Sequence, residues 1–67
     1  MPHPSVDHIL QYFNSQHLPP PLAEVVEPFA ELAHQVAARA AGPEATVALR
    51  KLLEAKDAAV RDVVSAA

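Results

Sequence analysis

Five basic side chains, Arg39, Arg50, Lys51, Lys56 and Arg61, are the groups in this 67-residue chain that could meet an anion. Lys56 is the most conspicuous of them. It interrupts the apolar series Leu49, Leu52, Leu53, Val60, Val63 and Val64, where a lysine must snorkel, find a partner or face an anion. Arg50 and Arg61 sit one helical turn from Glu54 and Asp57 respectively, so ion pairs on a solvated face are their ordinary reading. Groups suited to catalysis do not converge. Ser5, Ser15 and Ser65 lack a histidine and an acid at any recognised spacing, and the single glycine cannot build a phosphate loop. The four histidines, His3, His8, His17 and His34, form no HExxH pattern; His3 with His8 is the nearest to a metal pair, and its spacing is weak. With no cysteine there is no thiolate site either. No catalytic residue, metal or cofactor is therefore expected, and binding is the chemistry left.

Helices must position these groups. The apolar series around Lys56 recurs at three and four residues, the period of one helix face, over about 43–65. A second long helix is expected over about 21–41. There Leu22, Val25, Val26, Phe29, Leu32, Ala33, Val36, Ala37 and Ala40 share a face, which keeps its phase across Pro28, so a kink is expected there rather than a break. Gly42-Pro43 punctuates the two, with glycine as helix stop and proline opening the next helix, a turn short enough to join antiparallel neighbours. Counting symmetrically from that turn places Lys56 opposite Phe29 and Pro28. Its structural reading is a bond to the Glu24 carbonyl freed by Pro28, a stack on Phe29, or a pair with Glu27.

Before the hairpin, Ser5 is expected to cap a short helix over about 5–15 that buries Val6, Ile9, Leu10 and Phe13, with Tyr12 to one side beside His8. Residues 1–4 are expected to be extended or frayed, and the prolines of 18–21 to form a rigid corner in polyproline geometry. No strand signal is present.

Alanine dominates the hydrophobic half of the composition, and Tyr12, Phe13 and Phe29 are the only aromatics. So small a chain without disulfides buries little core, which makes an obligate homo-oligomer the expected state. The net charge of −3 argues against a DNA or RNA polymer as partner, but not against a small anion held by a few basic groups. No apolar stretch approaches the roughly 20 residues that span a bilayer, and Met1-Pro2-His3-Pro4-Ser5 has no signal-peptide character, so no membrane partner and a cytoplasmic location are expected.

Three stretches carry a family resemblance: Tyr12-Phe13 followed by His17-Leu18-Pro19, then Phe29-Ala30-Glu31-Leu32-Ala33, then the run from Thr46 to Ala55. In order and spacing they resemble the second anti-CBASS type of very small phage proteins, whose helical hairpin is shared with a phage inhibitor of Thoeris defence. The resemblance spans residues from about 8 to 65. It implies a compact hexamer of helical hairpins, without catalytic activity, that acts in the cytoplasm of an infected bacterial host. Such proteins sequester cyclic di- and trinucleotide immune signals, and related signals of the cyclic ADP-ribose type, without cleaving them. In the family an aromatic near the amino-terminal corner stacks on a base, and a lysine of the first hairpin helix contacts phosphate. Read without gaps, those positions fall on Ser15 and on Glu27 or Pro28, so Tyr12 or the ring of His17 would stack and Lys56 would supply the charge. Thr46, Arg50 and Arg61 are the residues that would serve the family's separate trinucleotide pocket.

The expectation is thus an all-α chain, a short N-terminal helix followed by an antiparallel helical hairpin, assembling into a compact homo-oligomer. Its expected ligand site comprises Tyr12, His17, Thr46, Arg50, Lys56 and Arg61. The alternative is a helical oligomeric protein-interaction module with no nucleotide ligand.

Overall fold

A computed structural model describes the backbone of residues 4–39 and 42–66, with side chains from residue 6 onward within those ranges. His3, and with it the His3–His8 pair, lies outside the described residues, as do Ala40 and the side chain of Ser5. Three α-helices make up the fold: α1 over Pro4–Leu10, α2 over Pro20–Arg39 and α3 over Glu44–Ala66. There is no strand among the described residues.

The first helix differs from expectation at both ends. It opens on Pro4, where an extended or frayed chain was expected, because a proline ring presets a helical φ and its missing N–H costs nothing in a first turn. It stops at Leu10 and tightens into a 3-10 turn, Gln11–Phe13, instead of continuing to residue 15. Asn14 is then extended, with φ −68° and ψ 127°. Its side-chain Oδ1 accepts from the Gln16 N–H at 3.0 Å, an Asx turn that competes with helix continuation. A further turn, Leu18 N–H to the Ser15 carbonyl at 3.1 Å, leads into the prolines.

Those prolines do not form the polyproline corner expected of them. Pro20 and Pro21 already belong to α2, and the Pro19 carbonyl accepts from the N–H groups of Leu22 at 3.0 Å and Ala23 at 2.9 Å. Two residues without N–H groups thus fill the first positions of a helix, where those donors would have had no intrahelical partner. Downstream, α2 continues through Pro28, which is exposed. At the turn, Gly42 does not adopt the left-handed conformation of a helix-stopping glycine, since no glycine has a positive φ. Its carbonyl accepts instead from the Ala45 N–H at 3.1 Å, closing the turn that starts α3.

The most extensive packing is between α2 and α3, with α1 lying chiefly on α3. The core gathers Val6, Ile9 and Phe13 with Ala33 and Ala37 of α2 and Ala45 and Leu49 of α3. Three buried alanines let the helices approach closely, and the long side chains of Phe13 and Leu49 fill the space where α1 crosses. This core lies toward the interhelical turn. Beyond Leu49 no residue of α3 is fully buried, and its stripe through Leu52, Leu53, Val60 and Val63 is half-buried.

Candidate functional site

Toward the open end of the hairpin lies a cavity of about 250 Å³. The corner after α1 contributes Tyr12, Asn14, His17 and Leu18; α2 contributes Val26; α3 contributes Lys56, Asp57, Val60 and Arg61. Each contribution follows from local structure. The 3-10 turn sends Phe13 inward, where it is 1% exposed, and leaves its neighbour Tyr12 50% exposed at the rim. Tyr12 is steadied edge-on by His8, with ring centroids 5.8 Å apart and planes at 84°. The Gln11 amide ties the same region together, donating to the His8 carbonyl at 2.8 Å. On α3, residues 56, 57, 60 and 61 form two adjacent one-turn ladders, so a single helix face delivers all four side chains.

The charges in this cavity are arranged differently from the sequence expectation. Lys56 makes none of the three structural contacts expected for it. Its Nζ lies 2.6 Å from Asp57 Oδ1, and its side chain is 13% exposed while that of Asp57 is 45% exposed. On the α2 side Lys56 shares the cavity with Val26. Because Asp57 turns to Lys56, the expected Asp57–Arg61 pair is absent, and Arg61 is left exposed at the cavity without an ion-pair partner among the described residues. The expected Arg50–Glu54 pair is absent as well. Glu54 is bridged by Lys51 at 3.6 Å, between two well-exposed side chains.

Of the six residues expected at a ligand site, four line this cavity: Tyr12, His17, Lys56 and Arg61. Thr46 and Arg50 do not. They lie in the first two turns of α3, and at 1.5 Å of rise per residue Thr46 is about 22 Å and Arg50 about 16 Å from Arg61 along the helix. One chain cannot bring them to the same small ligand end. Sequence reasoning missed Asp57 as a lining residue because it was assigned to Arg61; the ladder from 57 to 61 was the signal that could have found it.

A wall of this composition offers an aromatic face, two cations, one carboxylate and an apolar floor from Val26 and Val60. That suits a planar, partly apolar ligand bearing negative charge, held by stacking and charge-assisted hydrogen bonds. Its volume is below the roughly 300–1,000 Å³ of sites that enclose a drug-sized ligand, which leaves room for only part of such a molecule. Among the described residues, no group of three or more His, Asp or Glu side chains could hold a metal ion. No helix among them is long and apolar enough to cross a membrane. The chain matches no family model, no curated protein and no solved structure.

Proposed function

We propose that this protein is a phage anti-defence sponge: it sequesters cyclic oligonucleotide immune signals in the host cytoplasm without cleaving them. One observation supports this reading above others. Tyr12 and His17, from the amino-terminal corner, and Lys56 and Arg61, far along α3, meet around a single cavity. These are the stacking and phosphate-binding groups that such a ligand requires. The ligand class comprises cyclic di- and trinucleotides and signals of the cyclic ADP-ribose type. Thr46 and Arg50 belong, in this proposal, to a second anion-binding surface near the other end of α3.

Self-association, with a hexamer as the expected state, is part of the proposal. Its support is surface. The chain exposes 4699 Å², whereas a folded monomer of 7.2 kDa exposes about 4,100 Å². Calorimetric titration with a panel of cyclic di- and trinucleotides and cyclic ADP-ribose isomers tests the function. Stoichiometric binding with intact nucleotide recovered after denaturation is the expected result. Hydrolysed product, or no heat with any member, overturns it.

A second reading has its own observation. Leu32, Val47 and Val64 are exposed by 47%, 45% and 57%. A helical oligomeric interaction module without a nucleotide ligand would use such residues against a partner protein. Absence of binding across the whole panel favours that reading.

A further inference from the structure

A carboxylate in a cavity proposed for a phosphate-bearing ligand needs a reason. Asp57 lines the cavity, and pairing with Lys56 engages Oδ1 while leaving the side chain 45% exposed. An ionised carboxylate is acceptor-only and offers about four lone-pair sites, so one contact with an ammonium leaves most of its capacity open. Facing a phosphodiester, that capacity is repulsive. Facing a hydrogen-bond donor, it is a recognition element. The cavity therefore offers a phosphate the unpaired Arg61 and the Lys56 ammonium, and offers a hydrogen-bond donor the remaining lone pairs of Asp57.

The common bases differ in what they can present to a carboxylate. Guanine carries two adjacent donors, N1–H and the N2 amino group, which match the two oxygens of one carboxylate. Adenine sets its N6 amino group beside an acceptor at N1, and cytosine sets its amino group beside N3. Uracil flanks its one N–H with two carbonyls. Only guanine meets Asp57 without placing an acceptor against it. Tyr12, held edge-on by His8, supplies a stacking surface in the same cavity as Asp57.

We infer that Asp57 makes this cavity selective for guanine, so that the preferred ligand is a guanine-containing cyclic oligonucleotide. This rests on the sponge reading above and narrows it. The test compares cyclic di-GMP and cyclic di-AMP by calorimetry on the full chain and on Asp57→Asn, with helicity monitored by circular dichroism. In the wild type, cyclic di-GMP is expected to bind at least about tenfold more tightly, the scale of one good bidentate base contact. Asp57→Asn should abolish that preference and strengthen cyclic di-AMP binding, because an asparagine amide pairs with adenine and no longer repels phosphate. Equal wild-type affinities, or a guanine preference that survives Asp57→Asn, overturn the inference while leaving the sponge intact. Absence of binding to both probes and to the wider panel overturns both. Should Asp57→Asn fail to fold, Asp57→Ala takes its place, and a guanine preference that survives it overturns the inference.

Discussion

At the scale of single residues, the adjacent aromatics Tyr12 and Phe13 divide between the surface and the core. Phe13 is sealed among Val6, Ala33 and Leu49, whereas Tyr12 stands half exposed at the cavity rim. Phe13→Ala is expected to cost about 3–5 kcal/mol, enough to unfold so small a chain in a thermal melt. Tyr12→Ala should leave the melt unchanged and weaken nucleotide binding about tenfold, the loss of one stacking face. Lys56 separates the same two roles. Its stem lies against apolar surface while its ammonium sits on a half-exposed carboxylate, so Lys56→Met keeps the volume and leaves Asp57 hydrated. Stability should change by less than about 1 kcal/mol, and nucleotide affinity should fall about tenfold or more with the loss of a charge-assisted bond. Loss of the assembly with Lys56→Met would instead make this lysine structural.

At the scale of elements, two punctuation residues act less as their types suggest. Pro28 lies within α2 rather than ending it, and its exposed ring leaves the Glu24 carbonyl without the helix bond that a residue with an N–H would provide. Pro28→Ala should restore that bond and raise the stability of the chain by about 1–3 kcal/mol, read from urea midpoints. Gly42 has no positive φ, and a methyl group placed on it meets nothing within 4 Å. Gly42→Ala is accordingly expected to stabilise by about 0.4–1 kcal/mol, through loss of freedom in the unfolded chain. A measured destabilisation would show that the turn needs conformations alanine resists.

For the whole molecule, the dominant fact is a hairpin longer than its core. The chain measures 39 × 19 × 15 Å with a radius of gyration of 12.3 Å, against about 11 Å for a compact chain of this length. The core occupies the turn end, and the far half of α3 keeps Val60 and Val63 half-buried and Val64 exposed. The proposed self-association would cover this surface. Light scattering should therefore report a mass well above 7.2 kDa, and Val64→Glu combined with Leu32→Glu should lower it toward one chain by burying charge at the contact. A monomeric wild type would remove this part of the proposal.

Helix content and the inward faces were legible in the amino-acid order, because both depend on neighbours three and four residues apart. Val6, Ile9, Phe13, Val26, Ala33, Ala37 and Leu49 are buried as their spacing predicts, whereas Leu32 and Val64, expected on the same faces, are exposed. Helix ends were less legible: the Asx turn at Asn14 and the use of Pro20 and Pro21 as a first turn are choices among local hydrogen-bond patterns of similar energy. The members of the site could be named from residue type, but not their grouping. The crossing of α1 over the hairpin brings Tyr12 and His17 to Lys56 and Arg61 and leaves Thr46 and Arg50 behind. Asp57 likewise had two cations within reach in sequence, Lys56 beside it and Arg61 one turn on, and took Lys56. By itself the sequence determined three helices and the sides they bury, because periodicity is local. Only the tertiary structure decided which charges share a cavity, because that depends on how distant helices cross.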